Sequence, residues 1–166
     1  MTMEICSHGG EIEKKSIYEW TNYVDAVDGN CNTFNVFFNG GGLNKIDQSS
    51  ESDAAHIIWQ GSWHLPSCDD FEELRKFCNW QWTTRNNVNG YLVTSKVNSN
   101  SIFLPAAGWH RHVSLGFRNS YGHYWTSDLS TKDNTSQTAP ILYFHSKLVE
   151  ISGLYRYIGC SIRPVI

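Results

Sequence analysis

The hydrophobic pattern of this chain changes period near residue 79, which limits the folds that the chain can form. Before that point, the range Ser67–Cys78 predicts a helix, with Ser67 and Asp70 placed as a capping box. Acidic residues fill the first turns of this helix and basic residues stand near its end, which suits the helix dipole. A shorter helix is predicted at Asp53–Gln60, with Ser52 as its N-cap.

After this change, apolar residues alternate in short runs, and turn sequences rich in Asn and Gly separate the runs. Seven strands are predicted: Trp80–Thr84, Gly90–Ser95, Ser101–Leu104, His123–Ser127, Ile141–His145, Leu148–Ile151 and Cys160–Val165. Because helices precede strands rather than alternate with them, the pattern favours the α+β class. Residues 28–52 predict long loops pinned by a short apolar patch. We predict a single domain over residues 1–166, with residues 1–15 irregular.

Charge and hydropathy argue against two classes of partner. Residues 1–80 hold five Lys and Arg against thirteen Asp and Glu, whereas residues 81–166 hold eight against three. These eight cations are scattered and form no basic stripe, so no nucleic-acid partner is expected. No long apolar run is present, and no signal peptide follows Met1, so no membrane span is expected. We expect a protein that is not exported by the Sec route, or a chain that begins after its signal.

Five cysteines and several histidines raise the question of metal binding or redox chemistry. No pair of cysteines has the C-x-x-C spacing of a zinc site, and an odd number leaves at least one thiol unpaired in a monomer. Buried free thiols are expected, with one disulfide if the protein is exported. His110 and His112 alternate and would share one side of a strand, but histidines in a polar loop are more common. No cofactor and no metal are expected.

Residues 109–123 concentrate aromatic, His and Arg side chains among glycines and polar residues typical of loops. Exposed aromatic and Arg side chains are the groups that recognition surfaces use. The segment lies between an apolar strand that ends at Pro105 and the pair Tyr124-Trp125. This placement predicts a display loop held between two framework strands.

Seven motifs occur in order along the chain: Asp53–Ser67, Trp80–Thr84, Val88–Tyr91, Ser101–Gly108, Tyr124–Ser127, Leu142–Phe144 and Ser161–Val165. In this order, over roughly residues 16–166, they resemble the Fibrobacter succinogenes major paralogous domain family, abundant in surface proteins of gut Bacteroidetes-type bacteria. The segment Trp63–Pro66 is similar to the W-R-L-P of that family's relatives, with His64 replacing Arg. The family looks like a branch of the C-type-lectin-like fold, which formylglycine-generating-enzyme-like proteins share.

The resemblance implies an α+β, C-type-lectin-like fold with two helices, a small and mainly antiparallel sheet, and long loops. In the same fold, variable proteins of diversity-generating retroelements mutate Asn codons of a C-terminal segment to a limited set of residues. Many side chains of residues 110–123 and 152–158 belong to that set. The residues predicted to bind a ligand are His110, Arg111, His112, Ser114, Phe117, Arg118, Asn119, Tyr121, His123, Tyr155 and Tyr157. Trp109, Tyr124 and Trp125 fall on recurring family positions, which implies a framework role.

The chain departs from the family at its start, where Ser7–Glu11 stands in place of an A-W-G-E motif and the usual first strand is missing. In such folds the first strand pairs with the last, so its absence would leave Cys160–Val165 with an unpaired edge. Three explanations stay open. The N-terminus pairs differently, a second copy supplies the strand in a homo-oligomer, or the domain is naturally truncated.

Catalysis has little support in the sequence, so no enzyme is expected. No cysteine lies in the aromatic segment, no G-x-S-x-G turn is present, and the carboxylate-rich loop of a calcium-dependent lectin is missing. The predicted function is a non-enzymatic, extracellular or cell-surface domain that presents a loop surface, as retroelement-diversified proteins do, to an unknown protein or glycan. A phage virion is the alternative location. The alternative functions are a structural module of a bacterial surface or phage-tail assembly and, with weaker support, a formylglycine-generating-like enzyme.

Overall fold

The computed structural model of this protein describes residues 6–7, 14–23, 53–129 and 138–166. The predicted loops of residues 28–52, and most of the irregular residues 1–15, lie outside these ranges. Two short helices and mostly antiparallel strands in several sheets make the described part an α+β structure, as the sequence predicts. Within these ranges, no helix combines the length and the apolar character that crossing a bilayer requires.

Both predicted helices are present, and each is slightly shorter than expected: α1 at Ala54–Trp59 and α2 at Cys68–Phe77. The capping box of α2 is confirmed, since the Asp70 N–H donates to Ser67 Oγ at 3.2 Å and the Ser67 N–H donates to Asp70 Oδ2 at 2.7 Å. This reciprocal pair satisfies donors that a helix start leaves free. The buried face of α2 centres on Phe71.

The N-cap of α1 is Asp53, so the prediction of Ser52 in that role is wrong. The Asp53 carboxylate accepts hydrogen bonds from the N–H groups of Ala55 at 2.9 Å and His56 at 3.0 Å. It also accepts from the Leu65 N–H at 3.0 Å, although Asp53 is fully buried. One carboxylate therefore holds the start of α1 and the segment that leads to α2.

The described residues form ten strands: β1 (Cys6–Ser7), β2 (Cys78–Arg85), β3 (Val88–Ser95), β4 (Ser101–Pro105), β5 (Trp109–Arg111), β6 (Ser114–Gly116), β7 (Tyr121–Trp125), β8 (Thr138–His145), β9 (Leu148–Tyr155) and β10 (Cys160–Ser161). All seven predicted strands are present, with shifted ends. The prediction of Cys160–Val165 is too long, because Val165 instead forms an isolated bridge with His64. β5 and β6 are absent from the prediction, since strands of three residues are too short to display an alternating pattern.

The strands form three sheets. Their orders are β1-β10-β7-β8-β9, β2-β3-β4 and β5-β6, and β10 with β7 is the one parallel pair among these strands. β10 lies between β1 and β7, so its edge is paired, and the structure agrees with the first of the three open explanations, in which the N-terminus pairs differently. The N-terminus covers that edge, through the pairs Cys6 with Ser161 and Ser7 with Cys160.

The five-stranded sheet separates two groups of side chains, because successive residues of a strand point to opposite faces. On one face, Tyr124, Leu142 and Phe144 pack in a cluster with Phe71 of α2 and with residues of β3 and β4. On the other face, Trp125 and Ile141 pack with Tyr23, Tyr157 and other residues in a second cluster. The expected framework role of Tyr124 and Trp125 is confirmed, since each is 2% exposed. The second face continues into the candidate site.

Candidate ligand-binding surface

The β5–β6 hairpin and the turn at residues 117–120 carry exposed side chains on a short stretch of chain. Arg111 pairs with Ser114, so His112 and Val113 form a two-residue loop. His112 has a φ of +52°, a left-handed conformation that primed hairpin turns require at this position and that glycine usually supplies. We define the hairpin surface as the exposed side chains of Arg111, His112, Val113, Ser114, Leu115, Phe117, Arg118 and Asn119.

The hairpin surface contains six of the eleven predicted ligand residues, and it is apolar as well as basic. Val113 is 74% exposed, Phe117 is 53% exposed and Leu115 is 44% exposed. Single exposed apolar residues are normal, but three within five positions form a small patch of the kind that marks an interaction site. The sequence prediction missed Val113 and Leu115 as site residues, although their place among the polar residues of a loop was a usable signal.

Backbone hydrogen bonds fasten this stretch at its base and near its tip. The bonded pairs are Tyr18 with His112, His110 with Gly159, Ala106 with Asn119, and Gly108 with Tyr121, at donor–acceptor distances between 2.7 and 3.0 Å. Backbone groups make these bonds whatever the side chains are. The main chain alone therefore fixes much of the shape of this stretch, and some side chains of the hairpin surface add contacts of their own.

Asn119 is the member of the hairpin surface whose side chain does support the turn. Its Oδ1 accepts a hydrogen bond from the Asn89 N–H at 3.2 Å, and its carbonyl oxygen accepts one from Asn89 Nδ2 at 3.0 Å. Its φ of +64° lies in the left-handed region, which Asn tolerates better than most residues. Asn119 therefore fits a structural role at least as well as the predicted ligand role.

The two histidines of the hairpin, His110 and His112, contact the side chains of Tyr18 and Glu19. His112 Nδ1 lies 2.6 Å from Glu19 Oε1, and this hydrogen bond lowers the pKa of the Glu19 carboxyl. His110 is half-buried and stacks on the Tyr18 ring, with centroids 5.3 Å apart. Burial, and then the charge of Lys14, lowers the pKa of His110 below its ordinary 6.5. Among the described residues, no group of three His, Cys, Asp or Glu side chains is placed to hold a metal ion.

A second group of rings lies on one face of β7 and β8. Tyr121 stacks on Tyr143 with centroids 5.8 Å apart, and His145 meets Tyr121 edge-on at 5.6 Å. Phe117 packs edge-on against Tyr121 at 5.0 Å and so joins these rings to the hairpin surface. We define Phe117, Tyr121, Tyr143 and His145 as the aromatic face. Such rings offer flat apolar area with polar groups at its margin, which suits protein and sugar contacts alike.

The sequence prediction missed Tyr143 and His145, although a signal for them was present. Residues 141–145 alternate, so these two side chains fall on the face opposite Leu142 and Phe144, which belong to the core. Burial is the first cause that raises the pKa of Tyr143, followed by the neighbouring Tyr121 and Glu150. The Tyr143 hydroxyl therefore stays protonated at neutral pH and can donate a hydrogen bond.

His123 is 6% exposed, so its assignment to the ligand-binding surface is wrong. It points to the same face as Tyr121, but the Tyr143 ring lies against it with centroids 5.3 Å apart. Burial lowers the pKa of His123 to about 4, while a hydrogen bond with the Gly108 backbone acts in the opposite direction. No group of the described residues hydrogen-bonds to its buried Nδ1, which fits a neutral imidazole.

Tyr157 is also 6% exposed, and its assignment to the surface is wrong for the same reason. Its ring belongs to the core cluster of Tyr23 and Trp125. Tyr155 stacks on Tyr157 at 5.9 Å and is 48% exposed, as predicted for a ligand contact. The Arg111 guanidinium lies 6.0 Å from the centroid of the Tyr157 ring, so Tyr157 connects exposed Tyr155 with the hairpin surface.

The described cysteines differ in burial, and the pKa of the Cys68 thiol is shifted. Cys68 and Cys78 are free thiols, as predicted, but they are half-buried rather than buried, whereas Cys160 is buried as predicted. Burial, and then the charge of Asp128, raises the pKa of the Cys68 thiol to about 12. Because the thiolate is the reactive form, a thiol with such a pKa is a poor nucleophile at neutral pH.

Comparison of the chain with protein-family models, with curated proteins and with solved structures gives no match. The family resemblance based on sequence motifs therefore stays a prediction. The geometry of the hairpin surface and the aromatic face is the basis on which a function can be argued.

Proposed function

We propose that this chain is a non-enzymatic binding domain that presents the hairpin surface and the adjoining aromatic face to a protein or a glycan. The observation that carries the proposal is that, in residues 109–121, the backbone is held by hydrogen bonds while several side chains stay exposed. Backbone hydrogen bonds hold the stretch, while Arg111, Phe117 and Arg118 project from it. A rigid scaffold with exposed aromatic and Arg side chains lowers the entropic cost of binding and supplies typical hot-spot residues.

The same arrangement supports a diversified surface. A segment whose backbone is fastened by main-chain bonds accepts many side chains without unfolding, which is what a variable protein of a diversity-generating retroelement needs. We propose that the hairpin surface is the variable region. The left-handed positions His112, Phe117 and Asn119 limit that variation, since β-branched residues are strained there.

The finer fold assignment belongs to the proposal as well. We infer a C-type-lectin-like domain related to the Fibrobacter succinogenes major paralogous domain family. Support comes from the order of its sequence motifs, from two helices followed by mainly antiparallel strands, and from the terminal strands β1 and β10 pairing with each other. An extracellular, cell-surface or phage-virion location follows from that family.

A ligand screen with matched variants tests the proposal. The intact chain is applied to a glycan array and to a panel of cell-surface proteins, and bound ligands are measured by titration. Replacement of Phe117 or Arg111 by Ala should weaken binding of any ligand found by about tenfold or more, since hot-spot truncations cost more than 1 kcal/mol. Phe77→Ala and Arg75→Ala are the controls, because both residues lie on α2, outside the hairpin surface and the aromatic face, with Phe77 48% exposed and the Arg75 side chain 33% exposed.

The outcomes separate the competing functions. Loss of binding with the hairpin variants but not with the controls supports the binding domain. Equal effects in both pairs would reject the proposed surface. Absence of any ligand across the screen, together with a defined assembly role, would favour the structural module.

A further inference from the structure

A cleft lies at the base of the hairpin surface, where three parts of the chain meet. Its volume is about 190 Å³, and its lining includes Lys14, Trp109, His110, Arg118 and Ser161. Its backbone wall is tightly packed, because a Cβ atom on Gly108 would overlap the carbonyl oxygen of Gly116. The cleft is therefore a feature of the scaffold rather than a gap between movable side chains.

The charges of the cleft have one sign. Lys14 and Arg118 are exposed cations at its margin, and no acidic residue of the described chain lines it. Within the described ranges, no Asp or Glu forms an ion pair with either cation. Two cations therefore line one concavity, although the chain as a whole has a net charge of −3.

We propose that this cleft binds one oxyanion group of the ligand, a carboxylate, sulfate or phosphate, between Lys14 and Arg118. This inference rests on the proposed function, because it names the chemistry that one part of the same surface recognises. The Arg118 guanidinium can donate two hydrogen bonds to such a group, and Lys14 adds a point charge. The half-buried Trp109 gives the cleft an apolar wall for the carbon atoms next to the anion.

His110 offers an internal probe of the cleft. The groups that face it are Lys14, Arg118 and Tyr18, of which the first two are positive. An anion bound beside the imidazole would stabilise its protonated form and raise its pKa towards the ordinary value. By linkage, the anion should bind more tightly as the pH falls through the pKa of His110.

The test uses the full chain and small anions as probes. Sodium sulfate, sodium acetate and sodium phosphate are titrated in by NMR at constant ionic strength, with sodium chloride as the reference, and the His110 and Trp109 signals are followed. We expect saturable shifts with the oxyanions and a rise in the pKa of His110. Arg118→Gln should weaken binding about two- to fivefold, and a double variant with Lys14→Gln should abolish saturation.

A matched double variant controls for net charge. Lys76→Gln with Lys96→Gln removes two cations from the end of α2 and the β3–β4 turn, outside the cleft, and should leave oxyanion binding unchanged. Thermal unfolding of each variant shows whether it folds, and Arg118→Lys, which keeps the charge, should bind better than Arg118→Gln. A linear response equal to that of chloride, or equal losses in both double variants, would overturn the proposal.

A final arm identifies the carrier of the anion and separates this inference from the proposed function. Glucuronate against glucose tests an acidic sugar, and an acetylated Glu peptide against its Gln counterpart tests an acidic peptide. If a screened ligand depends on Phe117 but no oxyanion binds, the binding domain stands and the cleft assignment falls. If oxyanions bind saturably while Phe117→Ala leaves every ligand unaffected, the cleft assignment stands and the proposed surface falls.

Discussion

Gly122 occupies a position in β7 where the fold has no room for a side chain. A Cβ atom there would overlap the ring of Phe144, which is fully buried in the core. We expect Gly122→Ala to lower the free energy of unfolding by about 1–3 kcal/mol, because the packed core must shift to accept one methyl group. Urea denaturation at neutral pH measures the change.

Gly153 on β9 is the matched control for this prediction. A Cβ atom on Gly153 meets nothing within 4 Å, and its backbone has no left-handed φ. Gly153→Ala should therefore leave stability unchanged or raise it slightly, since alanine restricts the unfolded chain. Combining Gly122→Ala with Phe144→Leu should recover part of the loss, and a similar loss in both glycine variants would contradict the argument.

The buried His123 makes stability depend on pH. Its pKa is about 4 in the folded protein against 6.5 for an unperturbed histidine, so the unfolded state binds the proton more readily between these values. The stability that the neutral form of His123 contributes is therefore fully present above pH 6.5 and is lost as the pH falls to about 4. The full difference is on the order of 3 kcal/mol.

Unfolding free energies at neutral pH and near pH 4.5 test this dependence. His123→Phe keeps a ring in the buried site but cannot take up a proton, so the loss of stability with acid should be smaller in this variant. Gly153→Ala, which changes no titratable group, should leave the acid dependence as it is in the parent chain. Identical acid dependence in the parent and in His123→Phe would remove His123 as its source.

At the level of elements, the hairpin should accept ordinary substitutions and reject strained ones. Phe117 has a φ of +58°, where a β-branched side chain is strongly disfavoured, whereas Leu115 is an exposed strand residue without such a φ. We expect Phe117→Val to cost about 1–2 kcal/mol of stability and Leu115→Val to change it by less than about 0.5 kcal/mol. Thermal unfolding of the two variants, with Phe117→Asn as a strain-relieving reference, measures the difference.

The helices and strands differ in how well the sequence predicts them. The capping box of α2 joins Ser67 to Asp70, only three positions later in the sequence. The residue types at these two positions were therefore enough to predict it. The N-cap of α1 was misplaced by one position because Asp53 also bonds the Leu65 N–H, a contact that only the folded chain reveals. The strands β5 and β6 gave no periodic signal, since backbone bonds to distant residues such as Tyr18 and Gly159 fix them.

The candidate site was also predicted only in part, because some of its features depend on contacts between residues that are distant in sequence. Composition placed the predicted surface in residues 109–123, because Arg and aromatic residues are unusual in a segment with the glycines and polar residues of a loop. The burial of His123 and Tyr157 did not follow from composition, since each is covered by rings from other elements. Lys14, which completes the cleft, is distant in sequence from Arg118 and comes near it only through the fold.

For the whole molecule, the pairing of β1 with β10 decides whether the main sheet has a protected edge. β1 is only two residues long, yet it covers the side of β10 that faces away from β7. An uncovered strand presents free N–H and C=O groups that another chain can pair with. Removal of residues 1–7 should therefore increase self-association of the protein.

Sedimentation velocity over a range of concentrations tests this expectation. The chain without residues 1–7 should show a concentration-dependent shift to larger species, while a chain without residues 1–5, which keeps Cys6 and Ser7, should behave as the intact protein does. Backbone groups drive the association, so replacing Cys6 by Ser in the intact chain should not reproduce it. If the chain without residues 1–7 sediments as the intact protein does, the two-residue strand does not protect the sheet. The edge of β10 must then be covered in another way.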